Sequence, residues 1–380
     1  MNESSCATSC RELNQILNEE ARSADFATFG AVDIRLANEE FQKHVDSFSR
    51  WLEAGMAGSM SYLARGKERR ADPRRVFSGA KSVFCVGVPY DPRPLGAEDP
   101  ARGPRFARYL RGRDYHSEVA DRLERLMTAV NMRWVESAQS PVRAPLGWKV
   151  CVDTSAVLER AWACLAGLGW IGKNTLLIHP KLGSYLFLGL VLLDHETGQA
   201  PQIVPDSCGH CQCCLQACPG KALKRGTTLD SRLCVSYWTL EYRGELVTEQ
   251  MHSFGTWIAG CDVCQEACPF NIRISRAAVA RDSRDLCPTL TWEALLEESP
   301  DEYRERVRDC ALDRVKPEQF SRNLAIALGN ALALDSSGLG GRLFEKIRTR
   351  LAGESAGPAR AWWEKCLKLA HSDYSPNRKP

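Results

Sequence analysis

Two cysteine-rich stretches, CGHCQCCLQACP at residues 208–219 and CDVCQEACP at residues 261–269, dominate this chain. The first has the pattern Cys-x-x-Cys-x-x-Cys-x-x-x-Cys-Pro, and the second has Cys-x-x-Cys-x-x-x-Cys-Pro. A single further cysteine, Cys234, lies between them. Without Cys213, which is surplus to the spacing, the region offers eight thiols.

This spacing is typical of bacterial ferredoxins, in which three close thiolates hold one cubane and the fourth reaches across to the other. Eight thiols therefore predict two [4Fe–4S] clusters, with Cys234 replacing the ligand that the second stretch lacks. Zinc would need only paired Cys-x-x-Cys knuckles. A disulfide framework would need an oxidising compartment, and residues 1–11 are polar and show no secretion signal.

Length and composition are those of an ordinary multidomain protein. The 380 residues exceed the size of a single core, and 44% are hydrophobic and 26% charged. The longest apolar stretch, residues 185–193, is too short to span a bilayer, so we expect no membrane association. The 17 cysteines favour a reducing cytoplasm, and the net charge of +3 does not itself require a nucleic-acid partner.

Strand and helix patterns alternate in the first half of the chain, which predicts an α/β domain. The predicted strands are residues 82–89, 149–152 and 183–193, and the predicted helices are residues 115–132 and 156–166. We expect four segments: an α/β domain at 1–204, a ferredoxin-like double-cluster domain at 205–275, a helical region at 276–370 with helices near 322–334 and 343–351, and a disordered tail at 371–380.

Motifs outside the cysteine stretches resemble those of epoxyqueuosine reductases, in the same order. They are RGRDYH (111–116), VDTSAVLERAWACLAGLGWIGKNTLLI (152–178), GSYLFLG (183–189) and CVSYWTLEYRG (234–244). The resemblance covers nearly all of residues 10–340 and is specific, because generic ferredoxins lack the segment around Asp153 and the GWIGKN loop.

The resemblance implies a cobalamin-dependent reductase that converts epoxyqueuosine to queuosine at the wobble position of tRNA. It also implies a fold in which a nitroreductase-like α/β cobalamin-binding domain is joined to an inserted-type ferredoxin-like [4Fe–4S] domain and a short HEAT-like helical part. Electrons would pass from an external low-potential donor through both clusters to cobalamin. The family further suggests a cytoplasmic monomer, related in its cobalamin domain to reductive dehalogenases.

Crossed ligation assigns the thiols to two sets. The first cluster would be held by Cys208, Cys211, Cys214 and Cys268, and the second by Cys218, Cys234, Cys261 and Cys264.

Asp153 is the predicted catalytic residue and also a cofactor contact. Removing an epoxide oxygen requires two electrons and a proton donor, and a carboxyl group at the end of a buried strand can have its pKa raised by desolvation. From the residues alone, Asp153 is equally well explained as a cap of the following helix. The resemblance favours the proton donor, because the family's proposed acid matches this position.

Further contacts follow from the resemblance. The predicted cobalamin contacts are Arg70, Ala107, Leu177, Leu188, Ser236 and Asp262, and a predicted tRNA contact is Arg243. An arginine-rich connection with interleaved aromatic residues could bind an anticodon loop, and it holds Arg102, Arg105, Arg108, Arg111 and Arg113. Lys221, Lys224 and Arg225 could extend that surface.

Asp114-Tyr115-His116 partly matches a histidine loop that supplies a ligand to cobalamin, but Val119 stands where that motif needs glycine. We therefore interpret Asp114 as a helix N-cap. Three other functions remain open from the residues: a dehalogenase-like enzyme with the same cofactors, a ferredoxin-type electron carrier, and an RNA-binding protein with a structural cluster. A twin-arginine signal typical of dehalogenases is absent from residues 1–14.

Overall fold

The structure is a computed structural model that describes residues 3–93, 95–96, 103–110, 112–137, 143–274, 291–334, 340–353 and 357–371. The expected disordered tail lies almost entirely outside these residues. Within them, no helix combines the length and the hydropathy that crossing a bilayer requires.

The strands of the described chain are short apart from those of one sheet. They are β1 (Thr28–Asp33), β2 (Ser82–Pro89), β3 (Leu95–Gly96), β4 (Arg105–Phe106), β5 (Trp148–Cys151), β6 (Trp170–Ile171), β7 (Leu177–Ile178), β8 (Leu186–Leu193), β9 (Leu223–Lys224), β10 (Thr228–Leu229) and β11 (Trp257–Ala259).

The helices vary from a single turn to 22 residues. They are α1 (Glu3–Ser23), α2 (Asn38–Glu53), α3 (Ser61–Arg65), α4 (Lys67–Ala71), α5 (Tyr115–Glu136), α6 (Glu159–Leu165), α7 (Cys213–Ala217), α8 (Val235–Leu240), α9 (Thr248–Ser253), α10 (Val263–Glu266), α11 (Pro269–Ile272), α12 (Trp292–Glu297), α13 (Pro300–Val307), α14 (Pro317–Ala333), α15 (Gly340–Gly353) and α16 (Pro358–Ala370).

A four-stranded sheet in the order β1-β2-β8-β5 forms the centre of the first half, and its paired strands are antiparallel. The central strands β2 and β8 are almost wholly apolar, as expected for strands covered on both faces. Helices α1 and α5 cover one face, and helices α2 and α6 cover the other. On the second face the rings of Phe41 and Trp162 stack with centroids 4.1 Å apart.

The strands and helices predicted for this half of the chain are present, although some of their bounds differ. The strand predicted at 82–89 has those bounds, and the strand predicted at 149–152 is β5. The helix predicted at 156–166 is shorter, because α6 begins only at Glu159. This shortening leaves residues 152–158 as a loop at the end of β5, and Asp153 lies in that loop.

The cysteine-rich segment joins the first half through β11, which pairs in parallel with β4. The helices predicted near 322–334 and 343–351 are α14 and α15. Helix α14 is buried on nearly all sides, and its Asn323 amide donates to the carbonyl oxygens of Thr239 and Ile258, both at 2.8 Å. The C-terminal helices thus support the segment that follows Cys234.

Candidate active site

The first group of thiols surrounds a cavity of about 230 Å³. Its cysteines are Cys208, Cys211, Cys214 and Cys268, so three come from the first stretch and one from the second. Cys213 is exposed and is not among the residues that line the cavity. A cavity framed by four thiols suits a [4Fe–4S] cubane, which binds through four thiolates.

The second group of thiols packs among apolar side chains. Cys218 packs in one apolar cluster with Cys234 and Cys264, and Cys234 packs in a neighbouring cluster with Cys261. Burial, and then the charge of the other thiols, raise the pKa values of Cys261 and Cys264. In the described chain, no three His, Cys, Asp or Glu side chains converge as ligands of a single ion do.

Asp153 occupies an unusual backbone conformation just beyond the end of β5. Its φ of +52° lies in the left-handed region, which costs a non-glycine residue about 1–3 kcal/mol unless its surroundings enforce it. The N–H of Asp153 donates to Glu159 Oε1 at 2.5 Å, which holds the loop in place. The N-cap of α6 is Leu158, so the interpretation of Asp153 as a helix cap is wrong.

A series of hydrogen-bonded side chains connects Asp153 to the start of α5. His116 Nε2 lies 3.0 Å from Asp153 Oδ2, and His116 Nδ1 lies 2.5 Å from Asp114 Oδ1. Asp114 also accepts the backbone N–H of His116 at 3.0 Å, so the predicted N-cap is confirmed. The imidazole between two carboxylates was not predicted. The RGRDYH match was its one signal in the sequence.

Charges in this group differ from the expectation. Burial by itself would raise the pKa of Asp153, but the hydrogen bond and charge of His116 outweigh it and hold that pKa below its ordinary value. Burial lowers the pKa of His116. The hydrogen bonds of His116 to Asp153 and Asp114 raise the same pKa by more, so the net shift is upward. Burial, then the charge of Asp153, raise the pKa of Glu159 to about 8. At neutral pH a proton is therefore held by Glu159, beside Asp153, and not by Asp153 itself.

Predicted cobalamin contacts have different environments. Arg70 is half-buried and close enough to Asp153 and Glu159 to interact with their charges. Leu188 and Ser236 are also half-buried. Ala107 and Leu177 are buried in apolar clusters.

Asp262, another predicted cobalamin contact, is buried against Arg108. Its Oδ2 accepts the backbone N–H of Arg108 at 2.7 Å and Arg108 Nη1 at 3.2 Å, and Arg108 also pairs with Glu266. Arg105 pairs with the same Glu266 and lies over the ring of Trp257 at 3.9 Å. The prediction that Arg105 and Arg108 form an RNA-binding surface is therefore wrong, because their charges are neutralised inside the protein.

The other basic residues predicted to bind RNA lie at the surface, as far as the structure describes them. Arg113, Lys221, Lys224, Arg225 and Arg243 are exposed. Arg102 and Arg111 lie outside the described residues.

Two family models match the chain. Residues 70–154, which include Arg70, His116 and Asp153, match a family described as "Epoxyqueuosine reductase QueG, DUF1730". Residues 207–271 match the "4Fe-4S double cluster binding domain" and include all eight cysteines of the two groups.

Whole-length comparisons agree with these matches. An epoxyqueuosine reductase from a Synechococcus strain is 36% identical over 321 residues, which are 83% of this chain and 93% of that protein. One from Pseudomonas aeruginosa is 35% identical over 330 residues, or 84% of this chain and 86% of that protein. This chain belongs to the epoxyqueuosine reductase family. As a member of that family it is an oxidoreductase, and it carries a double [4Fe–4S] domain.

The fold is that of the family as well. The structure of epoxyqueuosine reductase from Streptococcus thermophilus aligns with a TM-score of 0.71 and 25% identity, covering 93% of this chain and 97% of that one. A crystal structure of an epoxyqueuosine reductase with an epoxyqueuosine-modified tRNA stem loop aligns with a TM-score of 0.71 and 23% identity, covering 96% of this chain and all of that one.

Proposed function

We propose that this chain reduces epoxyqueuosine to queuosine at the wobble position of tRNA, using cobalamin and two [4Fe–4S] clusters. The observation that carries the proposal is the hydrogen-bonded series Asp114–His116–Asp153 at the end of β5, in a chain of this family that also holds two groups of cluster-binding thiols. The reaction converts an epoxide to an alkene and water, and it consumes two electrons and two protons. The protein must therefore bring both reductant and acid to the epoxide, whose two carbon–oxygen bonds are broken in the reaction.

The acid is best described as the pair of Asp153 and His116. The pKa of His116 is raised, because its protonated ring donates to Asp153 on one side and to Asp114 on the other. As the epoxide oxygen leaves, the ionised Asp153 takes a proton from His116 and passes it on to that oxygen. Asp153 is half-exposed, with 47% of its side chain accessible, so the pair can reach a substrate.

A cofactor with amide and phosphate groups fits the residues beside Asp153. Arg70 and Tyr62 interact electrostatically with each other and with Asp153, and 43% of Tyr62 is exposed. A guanidinium binds amide and phosphate oxygens well, and an exposed aromatic ring offers an apolar face. Cobalamin bound there would supply the low-potential electrons that break the carbon–oxygen bond.

The other predicted cofactor contacts belong to the same proposal. Leu188 and Ser236 would contact the cofactor with their side chains, and the buried Ala107, Leu177 and Asp262 would contribute through their backbones. In this arrangement residues 1–204 form a nitroreductase-like cobalamin domain, residues 205–275 the cluster domain, and residues 276–370 a HEAT-like support. The chain would act as a cytoplasmic monomer and receive electrons from an external low-potential donor.

The pH dependence of the reaction tests the role of His116. Because its pKa is raised above the ordinary value, the rate should fall as the pH rises through that pKa, at a higher pH than for an ordinary histidine. His116→Asn should lower kcat by about 100-fold and remove this fall. Single-turnover rates from about pH 6 to about pH 10 provide the measurement, a range that begins near the ordinary pKa of histidine and includes the pKa of about 8 of Glu159.

Glu159→Gln is the control for that profile, since Glu159 also titrates in this range and glutamine keeps an oxygen for the N–H of Asp153. An alkaline fall that survives in Glu159→Gln belongs to His116. If the fall instead persists in His116→Asn and vanishes in Glu159→Gln, the proton donor has been assigned to the wrong neighbour.

A tRNA surface would pass from the cluster segment to the active site. Arg243 is exposed, and its charge acts on Arg322 of α14. Nearby, Arg314 pairs with Glu241 and also interacts with the charge of Asp153. The exposed Arg243 suits the phosphates of an anticodon loop whose modified base is extruded toward Asp153.

Arg243→Ala should weaken tRNA binding by about 3- to 10-fold and reduce the slope of log Kd against log salt by about one. The control is Arg35→Ala, because Arg35 is 72% exposed and follows β1, at the opposite edge of the sheet from β5. Fluorescence anisotropy with a labelled stem loop measures both. Equal effects of the two substitutions would show that Arg243 contributes general charge and not a contact.

The direct test is reconstitution. Protein loaded with iron, sulfide and cobalamin should convert epoxyqueuosine in tRNA under a strong chemical reductant, and omission of cobalamin should abolish conversion. A halogenated phenol in place of tRNA tests the dehalogenase-like function. Turnover of the phenol without turnover of tRNA would favour that second function, and electron uptake without either would favour a ferredoxin-type carrier.

A further inference from the structure

The segment Trp170–Thr175 packs directly against the first group of thiols. Trp170 Nε1 donates to Cys208 Sγ at 3.5 Å, and the Lys173 ammonium donates to the carbonyl oxygens of Cys211, at 2.9 Å, and Gly209. The GWIGKN motif therefore contacts the cluster segment, although it lies about 40 residues earlier in the chain. The polar groups of Trp170 and Lys173 thus both have hydrogen-bond partners in the cluster segment.

Asn174, the third polar residue of this segment, has an unpaired donor. The residue is only 4% exposed and lines the cavity framed by the four thiols. Its Oδ1 accepts the backbone N–H of Leu176 at 3.2 Å, which fixes the direction of the amide. Its Nδ2 has no hydrogen-bond partner among the residues that the structure describes. A buried amide donor without a partner is unfavourable, so a bound acceptor is expected.

We infer that Asn174 Nδ2 donates a hydrogen bond to a sulfur of the first cluster and thereby raises its reduction potential. This inference rests on the proposed ligand set Cys208, Cys211, Cys214 and Cys268. Reduction adds negative charge to the cluster sulfurs, so N–H donors stabilise the reduced state more than the oxidised one. Trp170 supplies a second donor to the same cluster, and the positive charge of Lys173 acts in the same direction.

The consequence is a difference between the two clusters. The ligands of the first cluster line the cavity that Asn174 also lines, whereas no ligand of the second cluster is among the residues that line it. With its potential raised by the 170–175 segment, the first cluster accepts electrons from the donor more readily than it otherwise would. Asn174 is therefore a tuning residue for electron uptake.

Redox titration of the cluster-loaded full-length chain, followed by electron paramagnetic resonance, tests this inference. Asn174→Leu removes the donor at similar size and adds no charge. Asn174→Asp removes the donor but keeps an oxygen for Leu176. Each should change the oxidised-to-reduced ratio of the first cluster at least about tenfold, a fall of about 59 mV for a one-electron centre. The second cluster is the internal control and should keep its potential.

An unchanged first-cluster potential in either variant would overturn the inference, and so would equal shifts of both clusters. A second measurement needs no variant: wild-type protein labelled with ¹⁵N at asparagine side chains should show a ¹⁵N coupling to the reduced first cluster, and its absence would also overturn the inference. Neither measurement involves tRNA or cobalamin. If these measurements contradict the role of Asn174, the proposed reaction is not affected. If the proposed reaction fails instead, the cluster potentials are unchanged.

Discussion

Asp153→Asn is expected to lower the rate of epoxyqueuosine reduction by at least about 100-fold, the usual contribution of a positioned general acid. Asparagine tolerates the left-handed conformation that Asp153 adopts, and its backbone N–H can still donate to Glu159. The substitution therefore removes the acid and leaves the loop in place. Iron content, cobalamin uptake and tRNA affinity should equal those of the wild type.

The rate should be measured in single turnover with saturating reductant, so that electron delivery does not limit it. Glu159→Gln serves as the matched control, because it alters a carboxyl group that contacts the Asp153 backbone and not its side chain. We expect it to keep most of the rate at neutral pH. If Asp153→Asn reacted within about threefold of the wild type, Asp153 would not be the acid.

Cys234→Ser is the second substitution with a large expected effect. Cys234 packs with Cys218 and Cys264 in one apolar cluster and with Cys261 in another, so its loss should prevent assembly of the second cluster. Iron per chain should fall from about eight to about four, and reduction of tRNA should become undetectable because the path to cobalamin is interrupted. The signal of the first cluster should remain.

Cys213→Ser is the control for this experiment. Cys213 is exposed and lies outside the lining of the first cavity, so its replacement should leave iron content and rate unchanged. If Cys234→Ser retained both clusters, the ligand set of the second cluster would need another residue. If Cys213→Ser lost iron, the register of the first stretch would be shifted.

The parts of this protein that depend on local spacing were predictable from its sequence. The thiol spacing predicted the double-cluster domain, the apolar run at 82–89 predicted β2, and Asp114 was predicted as an N-cap. Each of these features follows from residues that are neighbours along the chain. The resemblance then identified the family, which a relative at 36% identity and a family model over residues 70–154 confirm.

Features that depend on tertiary contacts were not predictable in the same way. His116 meets Asp153 across 37 positions, and this contact reverses the expected direction of the Asp153 pKa. Arg108 meets Asp262 across 154 positions, which turns a predicted RNA-binding arginine into a buried ion pair. In both cases the partner decides the electrostatics, and periodicity along the sequence carries no information about which partner the fold supplies.

The most direct test of the central claim is nucleoside mass spectrometry of tRNA after incubation with the fully loaded protein and a strong reductant. We predict that epoxyqueuosine disappears and that queuosine, smaller by one oxygen atom, appears in equal amount, with no conversion by Asp153→Asn. Persistence of epoxyqueuosine with both clusters reduced and cobalamin bound would contradict it.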